Sequence, residues 1–321
     1  MKKIDKNKNK LLGGAKEAGT APLGTIAKLT AKSLVEVRRL RAERFNLLKK
    51  IRAIMLSEGS RIELSPPTKF HRTSLCKHAV SGTAGVGVNR LKNANKSFYT
   101  GLQTCGSVWT CPVCSNKIQE LRRIEIAHAM RHFYSGGHQA LMITFTFPHE
   151  RVQALDDILT RFKNALDEMR ANGTWRRYFK TIDFEGLITS TEITHGFNGW
   201  HPHTHELYFV NKNLNEDEVI AFVKKQWLSA CLSFNLVNED KVEDFLKHSI
   251  DIRFNCSTSD YLAKFDCKSN WGIDREIAKA STKKGKGSGK HPFQLADENK
   301  DELFIEYDKA IKGRHQLRWS R

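Results

Sequence analysis

The chain has 321 residues, 40% of them hydrophobic, which is enough for one large or two small domains around a buried core. It contains no run of 18 apolar residues, so we expect no membrane span. No apolar segment follows the basic N-terminus, which excludes an ordinary secretory signal.

The formal net charge is +18, and it is concentrated near the N-terminus. Residues 1–57 carry 15 Lys and Arg against 4 Asp and Glu, and so supply +11 of this charge. A basic surface can simply keep a protein soluble. An arm-like concentration of charge favours contact with the phosphates of a nucleic acid.

The N-terminal third changes character along its length. Residues 1–30 are rich in Lys, Asn, Gly and Thr, a composition that predicts disorder. Apolar residues at three- and four-residue steps then predict a helix over about 32–57, which Gly59 ends. Residues 68–116 show no clear periodicity. The helix that follows is predicted from 117 to about 134.

The rest of the chain alternates between strand and helix patterns. Apolar, β-branched runs predict strands, and amphipathic stretches predict helices. Residues 279–290 contain five Lys and no acid, as in a flexible basic linker. The predicted elements are strand 140–147, helix 152–171, strands 187–194 and 203–210, helix 215–234, strand 249–254, and helices 257–268 and 298–312.

From residue 140 onward this order is β-α-β-β-α-β followed by a helix. It is the order of the ferredoxin-like fold, in which helices pack on an antiparallel sheet. We therefore expect an α+β protein with a ferredoxin-like antiparallel sheet and its helices on one face.

The strongest chemical signal is Trp-His-Pro-His-Thr-His at residues 200–205. Residues two apart in a strand share a face, so His203 and His205 point the same way, at a spacing that suits a divalent ion. Pro202 prefers the first position of a strand, which predicts that His201 lies in the preceding loop. Glu192 on the previous strand is the expected third ligand, whereas Glu206 has the wrong parity.

Two interpretations of this segment remain at this point. The histidines can be ligands, or they can lie on a solvated strand edge. The Pro, the Trp and the upstream Glu192 favour a metal site. Imidazoles alone suit Zn, Cu, Fe or Ni, but a carboxylate and open water positions favour Mg²⁺ or Mn²⁺.

A second signal is Tyr261 with Lys264 and Lys268, which share one face of the predicted helix 257–268. A tyrosine hydroxyl beside ammonium groups is suited to attack on a phosphodiester, because the cations hold the phosphate and favour phenolate. The alternative is an amphipathic helix with a core tyrosine and surface lysines. The metal candidate upstream favours the catalytic interpretation.

The third signal is a group of cysteines without a secretory context. Cys105, Cys111 and Cys114 fall within ten residues, and Cys76 lies upstream. Four thiolates form a tetrahedral structural Zn²⁺ site, in which His78 can replace Cys76. A redox CxxC motif is the competing interpretation. We expect a reducing cytoplasm, with the remaining thiols as packing residues: Cys231, Cys256 and Cys267.

Several segments together resemble one family, the plasmid rolling-circle replication initiators of the HUH endonuclease superfamily. The likeness covers roughly residues 70–321, and the combination is far more specific than any single motif. The matching segments are ITFTFPH (143–149), the HUH-like GWHPHTHEL (199–207), the tyrosine motif YLAKFDCK (261–268), the cysteine segment GLQTCGSVWTCPVCSNKI (101–118), and the tails GKHPFQLADE (289–298) and GRHQLRWSR (313–321).

The resemblance implies a metal-dependent endonuclease in which Tyr261 is the nucleophile and His203 and His205 are ligands of Mg²⁺ or Mn²⁺. Such proteins nick one strand at a plasmid origin in the bacterial cytoplasm, stay linked to the 5′ phosphate and leave a 3′ hydroxyl. Origin DNA, a host helicase and a host polymerase are the implied partners. Ser257 stands where some relatives carry a carboxylate one turn before the tyrosine.

From composition, pattern and resemblance together we expect four parts in the chain. They are a basic arm and helix (1–57), a zinc-binding segment (68–135), an HUH nuclease domain (136–278), and a basic linker with a C-terminal helix and tail (279–321). Two other functions stay open: an HUH transposase or relaxase, against which the cysteine segment argues, and a zinc-dependent DNA-binding regulator without catalysis.

Overall fold

The structure is a computed structural model that describes residues 34–61, 70–92, 97–211, 213–256 and 289–320. Its strands are β1 (Gly87–Arg90), β2 (Ser97–Thr100), β3 (His138–Phe145), β4 (Gly186–Gly196), β5 (Gly199–Asn211), β6 (Ile250–Arg253) and β7 (Leu317–Ser320). Its helices are α1 (Leu34–Arg61), α2 (Arg72–Leu75), α3 (Pro112–Ser135), α4 (Leu155–Ala171), α5 (Gly173–Thr181), α6 (Glu216–Ser233), α7 (Val242–His248), α8 (Pro292–Asp297) and α9 (Asp301–Ala310).

The centre of the protein is a five-stranded antiparallel sheet in the order β6-β3-β5-β4-β7. β3 and β4 run in the same direction with β5 between them, as the predicted β-α-β-β-α-β order requires. The α+β class is therefore confirmed. The short α5, which follows α4 after the single residue Asn172, was not predicted.

Helices cover both faces of this sheet, which corrects the expectation of helices on one face. On the first face α4 and α6 pack against β3, where the rings of Phe145 and Trp227 lie 5.2 Å apart. On the second face α3 packs through Ile126 and Met130, and Phe133 stacks on Phe209 with centroids 4.0 Å apart. Helix α3 precedes the β-α-β-β-α-β unit in the chain. The sequence therefore did not indicate which face of the sheet α3 would cover.

The first helix joins the core through one apolar stripe. Leu47, Leu48, Ile51 and Met55 are buried, and α1 packs against α3, α8 and α9. Leu48, Ile51 and Met55 recur at the three- and four-residue steps that the sequence predicted. The helix continues past the predicted end at Gly59 to Arg61.

Two helix boundaries also differ from the prediction for local reasons. Helix α3 starts at Pro112 rather than 117, because proline fits the first turn and the Cys111 side chain accepts a hydrogen bond from Cys114 N. Helix α9 follows a separate short helix, α8, that the pattern did not reveal. α8 begins in a capping box formed by His291 and Gln294.

The C-terminal tail forms β7, which adds a fifth strand beside β4. The sequence predicted only a tail there, because a four-residue edge strand with three exposed side chains carries little apolar signal. Within the described ranges, none of the helices is both long enough and apolar enough to cross a lipid bilayer.

Candidate metal centres

The three histidines of residues 201–205 lie on one face of β5. This strand begins at Gly199, so His201 pairs with Thr194 on β4 and does not lie in a loop as predicted. Pro202 sits inside the strand, where β5 pairs only with β4 because β3 ends its pairing at Thr204. A residue without an N–H is tolerated on such an open stretch.

His203 and His205 meet Glu192 across the sheet, as the sequence predicted. Glu192 pairs directly with His203 in the β4–β5 register. Its Oε2 lies 3.1 Å from His203 Nε2 and 3.4 Å from His205 Nε2. The three ligand atoms all lie within 4.8 Å of one another. Glu206 points to the opposite face, as its parity predicted, and is completely buried there against Arg170.

The chemistry of these residues fits a divalent cation. Ligand atoms that share one ion at about 2.1 Å are separated by roughly 3.0–3.4 Å, close to the distances found here. Burial by itself would raise the pKa of the Glu192 carboxyl, but hydrogen bonds and charges from His203 and His205 hold it well below its usual range. The carboxylate is thus ready to bind a cation.

Threonine hydroxyls on and just beyond β3 support the histidines. Thr144 Oγ1 lies 3.0 Å from His205 Nδ1, and Thr146 Oγ1 lies 2.6 Å from His201 Nε2. His201 also stacks on His149, with ring centroids 4.6 Å apart. Burial and the nearby histidine charges lower the pKa of His201 to about 4. His201 is therefore a neutral neighbour of the group, held by Thr146.

The sequence carries a signal for these two threonines. In the segment ITFTF, Thr144 and Thr146 interrupt an otherwise apolar run at a spacing of two. That spacing puts both hydroxyls on one face of an extended chain. His291, at the N-cap of α8, was also missed. Burial lowers its pKa to about 4, while the charge of Glu192 acts in the opposite direction.

The four predicted cysteines form one buried group at the N-terminus of α3. The Sγ atoms of Cys76 and Cys114 lie 3.6 Å apart, and two further pairs, Cys105–Cys114 and Cys111–Cys76, lie 3.7 Å apart. These distances exclude disulfides, and all four thiols are free. Sulfurs around one Zn²⁺ at 2.3 Å are separated by roughly 3.8 Å. The group can therefore hold a metal ion.

Backbone amides and helix α1 fix this cysteine group. The N–H groups of Cys105 and Cys114 donate to the sulfurs of Cys76 and Cys111, each at 3.4 Å. Hydrogen bonds from its neighbours lower the pKa of the Cys76 thiol to about 7. The Arg52 guanidinium donates to the Cys76 carbonyl. Cys76, rather than His78, is thus the fourth member.

The tyrosine motif lies outside the described residues. Tyr261, Lys264 and Lys268 and the position of Ser257 therefore remain predictions. The last described residue before them is Cys256, which is buried with Ala140 and Met142 on the second face of the sheet. Cys231 is also buried, as expected for a packing residue.

Comparison with known proteins adds independent information. A family model described as "Replication protein" matches residues 98–321. The "Protein rep" of Streptomyces lividans is 26% identical over 294 residues, which cover 71% of this chain and 64% of that protein. The "Neomycin resistance protein" of Streptomyces cyanogenus is 30% identical over 142 residues, or 36% of this chain and 32% of that protein. No solved structure matches the chain.

The family match covers most of the chain. It includes every residue of the two candidate metal groups except Cys76. The chain spans 64% of the length of the S. lividans protein, so the two are similar over a shared portion. The resistance in the name of the S. cyanogenus protein is a property of that protein. From the extent of the family match, this chain belongs to the replication protein family.

Proposed function

We propose that this protein is a plasmid replication initiator that nicks one strand of origin DNA by tyrosine attack. The observation that carries the proposal is the Glu192–His203–His205 group at the centre of the sheet, in a chain of the replication protein family. The strand order β6-β3-β5-β4 supports a ferredoxin-like HUH nuclease, whose histidine pair lies on a central strand.

The ion that best suits this group is Mg²⁺ or Mn²⁺, held by Glu192, His203 and His205. When bound, it supplies Lewis-acid polarisation of the scissile phosphate. The group supplies one carboxylate and two imidazoles, so several coordination positions stay open for phosphate and water. Thr144 lies on the Nδ1 side of His205 and would leave the Nε2 of that ring to hold the ion.

The described chain runs along β6 from Ile250, opposite Phe145, to Arg253, opposite Met142, and so moves away from the histidine end of the sheet before Cys256. Cys256 N donates to Ala140 O at 3.0 Å, on the face of the sheet that carries the histidines. Thr144 is four residues further along β3, a distance of roughly 13 Å. The five residues from Cys256 to Tyr261 can span at most roughly 17 Å. Tyr261 is therefore within reach of the metal group.

In the proposed reaction the Tyr261 oxygen forms a bond to phosphorus as the bond from phosphorus to the 3′ oxygen breaks. The phenol loses its proton, and the departing 3′ oxygen gains one to become the free 3′ hydroxyl. The DNA stays joined to Tyr261 through its 5′ phosphate, which conserves the phosphodiester for later rejoining. Lys264 contacts the transferring phosphate, and Lys268 contacts a flanking one.

The cysteine group has a different role in the proposal. Cys76, Cys105, Cys111 and Cys114 hold one structural Zn²⁺, because four buried thiolates leave no open ligand position for substrate. The reaction itself needs only the other metal group. Origin DNA is the proposed partner, with host helicase and polymerase acting on the product.

The experiment is cleavage of a labelled single-stranded origin oligonucleotide by purified protein with Mn²⁺. We expect one discrete cut that requires the ion and is lost in Glu192→Ala and His203→Ala, but is kept in Lys225→Ala on the outer side of α6. Binding without cleavage would instead favour the DNA-binding regulator. Cleavage that survives in the Glu192→Ala/His203→Ala double variant would refute the proposed site.

A further inference from the structure

The longest segment between two members of the cysteine group forms an exposed two-stranded ribbon. Strands β1 and β2 pair with each other in antiparallel register, from Gly87 opposite Thr100 to Arg90 opposite Ser97. Every side chain of β2 is exposed, and in β1 only Gly87 is partly covered. The ribbon therefore presents its side chains to solvent rather than to the protein core.

The base of the ribbon is closed by backbone hydrogen bonds and a close backbone approach. Lys77 N donates to Gln103 O at 2.7 Å and Gln103 N donates to Ala79 O at 2.8 Å, directly beside Cys76 and Cys105. Gly101 has a φ of +77°, and a Cβ there would lie 1.9 Å from Gly85 O. Such a close backbone approach requires glycine. The cysteine group thus clamps the two ends of the ribbon together.

One face of the ribbon combines apolar and cationic side chains. Residues two apart and residues paired across strands share a face, which places Val88, Arg90, Ser97 and Tyr99 together. Val88 is 70% exposed and Tyr99 is 63% exposed. Large apolar side chains at this level of exposure on a projecting element indicate a binding surface.

Charge identifies the partner of this face. Between Glu63 and Glu120 the chain has seven Lys and Arg and not one Asp or Glu. A segment without acids suits a polyanion and disfavours a basic protein partner. Two strands about 4.8 Å apart, with their side chains, fit the major groove of B-DNA, which is roughly 12 Å wide.

We propose that this face of the β1–β2 ribbon enters the major groove of duplex DNA at the origin and reads its sequence. In that groove Arg90 is suited to the acceptor edge of guanine and Val88 to a thymine methyl group. Tyr99 packs beside them against the groove wall. The inference rests on the proposed function only for the choice of origin DNA as the duplex.

The test uses the full chain with its zinc and compares duplex binding with single-strand cleavage. The variant Arg90→Gln/Tyr99→Ser removes the charge and the ring, and Val88→Ser removes the apolar contact. The control is Lys225→Gln/Val152→Ser, which removes one charge on α6 and one exposed apolar side chain on the loop before α4. Each protein binds a duplex of the origin and a scrambled duplex of equal length.

We expect the ribbon variants to lose about tenfold or more in affinity for the origin duplex but much less for the scrambled one. Cleavage of the single-stranded oligonucleotide and the zinc content should match those of the control. Equal loss on both duplexes, no loss, or a change only in self-association would overturn the inference. If the wild-type protein binds the origin duplex selectively but cleaves nothing, the proposed function fails. The comparison of duplex binding between ribbon and control variants then still decides the inference about the ribbon.

Discussion

Thr144 and His205 face each other across β3 and β5, with 3.0 Å between the hydroxyl oxygen and Nδ1 of the ring. If His205 held an ion through Nε2, its Nδ1–H would donate a hydrogen bond to Thr144 Oγ1. A hydroxyl near the end of the apolar strand β3 would thereby fix the tautomer of a candidate metal ligand.

Replacement of Thr144 by valine tests this support. Valine keeps the shape but removes the hydrogen bond, so we expect Mn²⁺ affinity to fall about 10- to 100-fold, as for other outer partners of metal ligands. Titration calorimetry with Mn²⁺ measures the change. Thr146→Val is the matched control, because Thr146 holds His201 rather than a ligand, and its loss should be smaller. Equal affinities for wild type and Thr144→Val would contradict this role.

Tyr261→Phe should bind origin DNA like wild type yet form no covalent product. Phenylalanine retains the ring but lacks the attacking oxygen. Mass spectrometry of wild-type protein after reaction with labelled oligonucleotide and Mn²⁺ should place the adduct on Tyr261. Tyr178→Phe is the control, since Tyr178 stacks on Phe222 in the helical layer. An adduct on another residue would defeat the assignment.

The cysteine group should bind about one Zn²⁺ per chain, which elemental analysis can measure. Cys111→Ser with Cys114→Ser removes two of the four ligands and should abolish zinc binding, with a marked drop in Tm. Cys231→Ser provides a comparison, because Cys231 is buried alone in the core and its burial raises the pKa of the thiol. Zinc retained by the double variant would show that the metal lies elsewhere.

The sequence predicted that Glu192, His203 and His205 come together, because their geometry is local. Alternation along one strand fixed the common face of His203 and His205, and the adjacent strand supplied Glu192. The prediction that His201 lies in a loop was wrong, because it assumed that a strand begins at its proline, Pro202. The structure shows that β5 lacks one neighbour at that point, which is a property of sheet topology and cannot be seen in the local sequence.

Elements that depend on distant partners were harder to predict. The four residues of β7 become a strand only because β4 offers a free edge, and α3 covers the second face only after the sheet exists. The ribbon between Cys76 and Cys105 was missed for a related reason. Its side chains stay exposed on both faces, so no alternation of apolar and polar residues marks its strands.

Acid should destabilise the protein partly through His291. Its pKa is about 4 in the folded chain and about 6.5 when unfolded, so the unfolded chain binds more protons between these values. Stability should then fall as pH drops from about 6.5 to about 4, by on the order of 2 kcal/mol. His291→Asn keeps a capping side chain and should flatten this part of the profile. Urea unfolding across this pH range measures the free energy of unfolding of both proteins. If His291 had no part, the curves of wild type and His291→Asn against pH would run parallel.

The buried network behind the histidine strand should be the most sensitive to mutation. Glu206, completely buried between His205 and Leu207 on β5, binds the Arg170 guanidinium and accepts a hydrogen bond from Tyr208 Oη at 2.6 Å. Burial and the charge of Glu206 raise the pKa of Tyr208 well above its usual value, so the phenol stays a donor.

Glu206→Gln leaves Arg170 without its buried anion and with only the half-exposed Asp167 carboxylate, and we expect a loss of up to about 3–5 kcal/mol in the free energy of unfolding. Tyr208→Phe removes one hydrogen bond to a charged group and should cost about 1.5–3 kcal/mol. Replacing both charges, in Arg170→Met/Glu206→Leu, should lose less than Glu206→Gln, because no charge is left buried without a partner.

The exposed pair Lys247–Glu243 is the control, and Lys247→Met should change stability by less than about 1 kcal/mol. Urea denaturation of the four variants measures these differences, and a double variant less stable than Glu206→Gln would mean that packing, rather than charge, governs this region.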